Sequence, residues 1–292
     1  MLFLFCKEVH FFFTFDKDTN FFFNKILLIK RTFLLSMKLF FRYMGQGNPV
    51  IILHGLLGLS DNWVTFGRQL ASDFEVFIPD LRNHGQSPHD PVFNFQVLVE
   101  DLIELIKELG LKKINLIGHS LGGKTAMLFA LKYPGLLEKL VIVDIAPGKY
   151  PTNLEHQMLI DAMMKVDFSL VRSRSDIDRQ LEPEVHSLKL RQFILKNIYW
   201  KDKDSLGWRL NLPVLKESLP YIMEEIRSDS QFMHPVLLVR GGLSDYVTDA
   251  DLSEMHNLFP LTMVKTIANA SHWVHADAPG EFYTLVHEFL LS

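Results

Sequence analysis

From Met37 onward the chain alternates short, unbroken apolar runs with longer stretches in which apolar residues recur every three or four positions. Val50 to Leu53, the segment 74–80, Ile114 to Ile117 and Leu140 to Val143 are of the first kind, and each stops at a polar or glycine residue. Such runs suit strands buried on both faces of a parallel sheet. The segment 95–109 is of the second kind, with Leu98, Leu102, Leu105, Ile106 and Leu109 on one stripe and Gly110 to close the helix. A helix starting near Asn62, with Ser60 or Asp61 as its cap, and another running on from Leu121 complete the series. With a short strand over 37–43, the order predicts an α/β fold with a doubly wound, mostly parallel sheet.

The rhythm stops over 148–231. Apolar residues there fall at helical spacing (Leu159, Met163 and Val166; Leu190, Phe193 and Ile194) among many charges, which predicts about four short helices inserted as a cap. Strand patterns return at 235–240 and 263–267, and a closing helix is expected from about Pro279 to Leu291. The expected organisation is therefore a first core part over 37–147, a helical cap over 148–231 and a second core part over 232–292.

Residues 1–36 do not match this text. They hold 10 of the 24 phenylalanines, broken up by Lys7, Glu8, Asp16, Lys17, Asp18 and Lys25. No run reaches the roughly 18 apolar residues of a membrane span, and no small-residue cleavage site follows the apolar patches. This stretch is expected to be a non-native or disordered leader, with the working protein beginning at Met37, without stable membrane insertion and in the cytoplasm.

Composition narrows the chemistry. A chain of 292 residues, 48% hydrophobic, can bury a large core. A net charge of −4 offers no basic stripe for nucleic acid. The single cysteine, Cys6, excludes an internal disulfide framework and a cysteine-based metal cluster. His84 and His275 lack metal-ligand spacing, so neither a metal nor another cofactor is expected. The reactive groups must come from serine, histidine and carboxylates.

Those groups collect at the carboxyl ends of the predicted strands, where ligands bind in open α/β sheets. His54-Gly55-Leu56 ends one strand, Gly118-His119-Ser120-Leu121-Gly122 joins another to its helix, Asp144 ends a third, and Ser271-His272-Trp273 follows the last. A G-x-S-x-G turn between strand and helix holds its serine in a strained backbone, with glycines where side chains would collide. A serine needs a base to take its proton and a carboxylate to orient that base. Ser120, His272 and an aspartate can supply all three. The amides of Leu56 and Leu121 are the natural pair for an acyl oxyanion.

Several motifs in this order resemble the α/β-hydrolases of the serine esterase type, most specifically the subgroup of the YbfF esterase and the abhydrolase-domain-11 proteins. They are His54-Gly-Leu-Leu-Gly58, Asp80-Leu-Arg-Asn-His-Gly-Gln-Ser-Pro88, Gly118-His-Ser-Leu-Gly-Gly-Lys124, Val143-Asp-Ile-Ala-Pro147, Trp208-Arg-Leu-Asn-Leu-Pro213 and Ser271-His-Trp-Val-His-Ala276. The resemblance implies a serine hydrolase that cleaves carboxylic esters, or acyl-CoA thioesters, through an acyl-enzyme. It also implies Asp144 as the acid. Most members of the wider family carry the acid after the next-to-last strand, where Asp245 stands as the alternative. Arg209, in a matching segment of the cap, is expected to meet an anionic substrate tail, and Met158, Met163, Met164 and Phe168 to form an adaptable acyl pocket. His54 is expected to brace the oxyanion loop, His119 to pack, and Lys124 to pair with a neighbouring loop. Carbon–carbon bond hydrolases and cofactor-free haloperoxidases share such a triad, and a ligand receptor can share the fold. The oligomeric state is not legible.

Overall fold

The structure, a computed structural model, describes residues 37–151 and 154–292, with the side chain of Leu154 left aside. The expected leader, 1–36, lies outside the described residues. Seven strands form one sheet: β1 (Phe41–Met44), β2 (Asn48–Leu53), β3 (Phe74–Pro79), β4 (Ile114–His119), β5 (Leu137–Val143), β8 (Val236–Gly241) and β9 (Thr262–Ile267). Their spatial order is β1-β3-β2-β4-β5-β8-β9. β1 pairs antiparallel with β3, and all other pairs are parallel.

Alternation along the central strands sends side chains to two cores. Ile51 and Leu53, Leu116, and Leu140 and Ile142 face one side, where α2 (Phe95–Glu108) and α3 (Leu121–Lys132) pack. Val50 and Ile52, Ile117, and Val141 and Val143 face the other, against α1 (Val64–Leu70) and α10 (Pro279–Leu291). Helices on both faces explain why these strands read as continuous apolar runs.

The stripe of α2 packs as its spacing requires, and its ends are built as the sequence suggests. Asn94 accepts the Val97 amide at the N-terminus. At the other end the Gly110 amide bonds to Lys107 and the Leu111 amide to Ile106, with Gly110 at φ 68°. This is a Schellman closure, which favours glycine at the left-handed position. The expected caps of α1 are not formed. Ser60 and Asp61 lie in a 3-10 turn (Ser60–Asn62), Trp63 sits at the helix N-cap without a side-chain cap bond, and the Ser60 amide bonds to Asp80.

Between β5 and β8 the chain forms α4 (Leu154–Met164), α5 (Arg174–Leu181), α6 (Leu188–Leu195) and α7 (Leu212–Ile222). An antiparallel hairpin, β6 (Ile198–Trp200) and β7 (Leu206–Trp208), was not expected. Its three-residue strands are too short to show a two-residue period. α8 (Leu252–Leu258) and the single turn α9 (Val274–Asp277) complete the elements. No helix among the described residues is long and apolar enough to cross a membrane.

The loop after β3 is held by a buried ion pair. Arg82, fully buried, forks onto Asp101 of α2 with bonds of 2.5 and 2.6 Å and reaches the Val92 carbonyl at 3.0 Å. Removing Asp101 takes away the nearer carboxylate of this buried guanidinium, leaving Asp90 at 3.5 Å. Asp101→Asn is expected to destabilise the fold by roughly 3–5 kcal/mol, read as a lower midpoint of urea unfolding at neutral pH.

Candidate active site

β4 ends at His119 and α3 begins at Leu121, so the whole reversal falls on Ser120, at φ 54° and ψ −118°. A non-glycine residue at positive φ is strained, and the turn exists only because its neighbours permit close approach. A Cβ on Gly122 would stand 2.5 Å from the Leu53 carbonyl oxygen and 2.7 Å from that of His54. A Cβ on Gly118 would overlap the Gly122 carbonyl group and lie 2.8 Å from the Gly123 Cα. The serine is therefore presented at the start of a 12-residue helix, whose first amides lack intrahelical acceptors.

Asp144 follows β5, with φ 50° and no exposed surface. Its Oδ1 accepts the Gly241 amide at 2.8 Å, and its Oδ2 accepts His272 Nδ1 at 2.8 Å and the Ser244 hydroxyl. Of the two candidate acids, Asp144 is thus the one bonded to His272, while Asp245 is exposed on the surface. Ser244, three residues past Gly241, gave no sequence signal of this partnership, yet its hydroxyl donates to Asp144.

His272 is fixed from three sides. Tyr246 stacks on its ring with centroids 3.7 Å apart and planes at 19°. Its own carbonyl accepts His119 Nε2 at 2.9 Å. The adjacent Ser271 amide bonds to Asp277 at 2.9 Å. His119 accordingly does more than pack. Its bond ties the residue before the serine to the loop of the histidine.

The turn at Gly55 to Gly58 is braced by two imidazoles. His54 bonds the Gly55 carbonyl through Nδ1 at 2.8 Å and accepts the Leu81 amide at Nε2 at 3.0 Å. His84 bonds the Arg82 carbonyl through Nδ1 at 2.9 Å and accepts the Leu57 amide at Nε2 at 3.2 Å. Each ring is therefore neutral, one nitrogen donating and the other accepting. Within the turn the Leu57 amide goes to His84 and the Gly58 amide to the Gly55 carbonyl, and Leu56 lines the cavity with Ser120.

Ser120 and His272 line one cavity, walled by Leu56, Trp63, Leu159 of α4, and Leu190 and Phe193 of α6. Ser120 also borders a smaller space, with Leu121, Lys124, Tyr150 and Ile222. The apolar lining differs from expectation. Met158 and Met164 are exposed on the outer side of α4, Met163 is fully buried in the core, and neither these nor Phe168 lines the serine cavity. Residues one helical face away, such as Leu159, take that place.

Arg209 is not brought to the serine. It packs over the Tyr199 ring at 4.7 Å and lines a separate cavity with Arg42, Lys196 and Asp80. Lys124 is buried, and its amine donates to the Gly148 and Glu224 carbonyls, each at 2.6 Å, while facing the Tyr150 ring at 4.8 Å. Burial lowers its pKa to about 8.

Set beside known proteins, residues 48–279 match the family model of the alpha/beta hydrolase fold. A zebrafish (Danio rerio) protein named sn-1-specific diacylglycerol lipase ABHD11 is 36% identical over 252 residues, covering 84% of this chain and 79% of that protein. The esterase YbfF of Escherichia coli is 32% identical over 247 residues, covering 84% and 94%. The solved structure of a marine microorganism esterase superposes with a TM-score of 0.85 at 40% identity, covering 87% of this chain and all of that one. The chain belongs to the alpha/beta hydrolase fold family, among its carboxylic ester hydrolases.

The braced turn makes the site acid-sensitive. Burial lowers the pKa of His54 to about 4 and, with the nearby His54 charge adding to it, that of His84 to about 3. In the unfolded chain these rings take up protons near pH 6.5. Below that pH the unfolded state binds more protons than the folded one, so stability is lost as pH falls, by about 1.4 kcal/mol per pH unit for each ring. Urea unfolding between pH 6.5 and 4.5 should show this slope, and His54→Gln should make it shallower.

Proposed function

We propose that the chain hydrolyses carboxylic esters by two-step acyl transfer, with Ser120 as nucleophile, His272 as base and acid, and Asp144 as the orienting carboxylate. The observation that carries this reading is the 2.8 Å bond from His272 to a buried Asp144, beside the cavity on which a strained Ser120 opens. Asp144 holds the proton of His272 on Nδ1, which leaves Nε2 free to accept the serine proton. Ser120 Oγ then attacks the ester carbonyl, and the oxygen takes up negative charge. The amides of Leu56 and Leu121 donate to it, the second at a helix N-terminus where such charge is favoured. The tetrahedral centre collapses as the imidazolium passes its proton to the departing alcohol. Water, activated by the same imidazole, releases the acid and restores Ser120.

Two further supports bear on the acid. The Gly241 amide and the Ser244 hydroxyl both donate to the Asp144 carboxylate, which fixes its orientation toward His272. Segment 148–231 serves in this reading as a cap, since α4 and α6 supply the apolar wall over the serine. Esters of small to medium acyl chains suit that wall. The relative named as a diacylglycerol lipase makes acylglycerols the first class to try, and acyl thioesters, which the same chemistry cleaves, the second.

Ser120→Ala should abolish both labelling by a fluorophosphonate probe and turnover of p-nitrophenyl esters, by at least roughly a thousandfold. Asp144→Asn is expected to lower kcat by about 100- to 10,000-fold, and Asp245→Asn by no more than a few-fold. A larger loss for Asp245→Asn would refute the assignment of the acid.

A further inference from the structure

The cavity that Arg209 lines takes no part in the chemistry at Ser120. It lies across the loop after β2 from the serine: Gly58 and Asn62 border the serine cavity, while Leu59, Ser60 and Asp61 border this one. Four cations from four parts of the chain meet on its wall. Arg42 stands in β1, Arg174 begins α5, Lys196 caps the end of α6, and Arg209 follows β7. Apart from Leu59 and Ile198 the lining residues are polar or charged.

The two carboxylates on this wall do not answer the four cations. Asp61 pairs with Arg42. Both oxygens of the buried Asp80 are taken by backbone amides, Oδ1 by that of Ser60 at 2.6 Å and Oδ2 by that of Gln86 at 2.8 Å. Among the described residues no carboxylate bridges Arg174, Lys196 or Arg209, so the wall keeps an excess of two positive charges. The Arg209 guanidinium and the Lys196 amine make no hydrogen bond there either, and the buried Nε of Arg42 has no partner.

These groups are held in place. β6 fixes two of them: the Ile198 carbonyl accepts Arg174 Nη2 at 3.2 Å, and the Arg209 guanidinium lies over the Tyr199 ring at 4.7 Å. A guanidinium stacked on a ring keeps its in-plane N–H groups for an oxyanion. The Arg209 backbone amide bonds to the Asn197 carbonyl at 2.8 Å, and the buried Asn197 side chain donates to the Leu57 carbonyl at 2.8 Å. Solvated cations with no common task spread apart, because like charges around one hollow repel. Gathered on a concave wall, they focus their field and draw in a counter-ion. Arginine forks match the geometry of phosphoryl oxygens, and the excess of two charges matches a phosphate dianion.

We propose that this cavity binds a phosphoryl dianion, either free in solution or as the phosphomonoester headgroup of a lipid, and that the anion ties the segment between β5 and β8 to the sheet domain. Arg174, Lys196 and Arg209 come from that segment and Arg42 from the sheet, so one ligand bridges the two. α6, which ends at this site, also supplies Leu190 and Phe193 to the wall over Ser120, and the anion steadies that wall without touching the substrate. The site stands independently of the ester-hydrolase reading.

The test titrates the full chain with inorganic phosphate in a calorimeter at physiological ionic strength, and measures its co-sedimentation with phosphatidylcholine vesicles with and without phosphatidic acid. Saturable binding of phosphate at one site per chain identifies the free anion, and binding only to vesicles that contain phosphatidic acid identifies the headgroup. In either case Lys196→Gln and Arg209→Gln should each weaken binding by about tenfold, while the thermal midpoint without ligand stays near that of the wild type. Lys196 is exposed, so its variant carries the test if Arg209→Gln fails to fold. The bound anion should also slow amide hydrogen exchange over residues 174–209. Absence of saturable binding to both probes, or an affinity unchanged in Lys196→Gln, overturns the site. Binding that leaves exchange over 174–209 unchanged overturns the tie.

Discussion

The site depends on one close approach between backbones. The first turn of α3 lies against the end of β2 so tightly that Gly122 has only 2.5 Å between a would-be Cβ and the Leu53 carbonyl oxygen. That contact lets the chain reverse on a single residue and obliges Ser120 to adopt φ 54°. It also sets the end of β2, and hence the turn carrying Leu56, beside the first amide of α3. Ser120 and the turn carrying Leu56 are positioned by a single packing event at the end of a sheet whose central strands are largely buried. Strain of this kind persists only where the surroundings over-determine it.

The surroundings do so largely through neutral imidazoles. His54 and His84 tie the turn at Gly55 to Gly58 to the loop after β3, and Arg82, through Asp101, ties that loop to α2. Asn83 extends the chain of contacts outward, since its carbonyl accepts the Asn211 amide at 3.0 Å from the segment between β5 and β8. The histidines near the serine thus divide by function. One ring, His272, faces a carboxylate and the cavity, while His54, His84 and His119 spend both or one of their nitrogens on backbone groups.

Most of the sheet was legible because burial on both faces writes itself as unbroken apolar runs, and α2 and α10 were legible because their stripes and ends agree. The G-x-S-x-G turn was legible for the same steric reason that makes it work. The hairpin β6–β7 was not, since three-residue strands carry no period, and Arg209, which follows it, lines another cavity. The cap lining was misjudged because a one-position rotation of α4 separates the exposed Met158 from the lining Leu159. Spacing left both Asp144 and Asp245 open, and the resemblance favoured Asp144; the His272 contact that Asp144 makes joins residues 128 positions apart, which spacing does not show. Ser244 and Tyr246 escaped notice for a related reason: neither residue type announces a role until His272 and Asp144 are beside it.

The amine of Lys124 carries a consequence for how the segment between β5 and β8 is held. It grips the carbonyls of Gly148 and Glu224 from the helix that begins after Ser120, with the Tyr150 ring facing it. The hydrogen bonds go to backbone oxygens, so they do not depend on the side chains at those two positions. The chain between Gly148 and Glu224 is thereby registered near both its ends to the helix that carries Lys124.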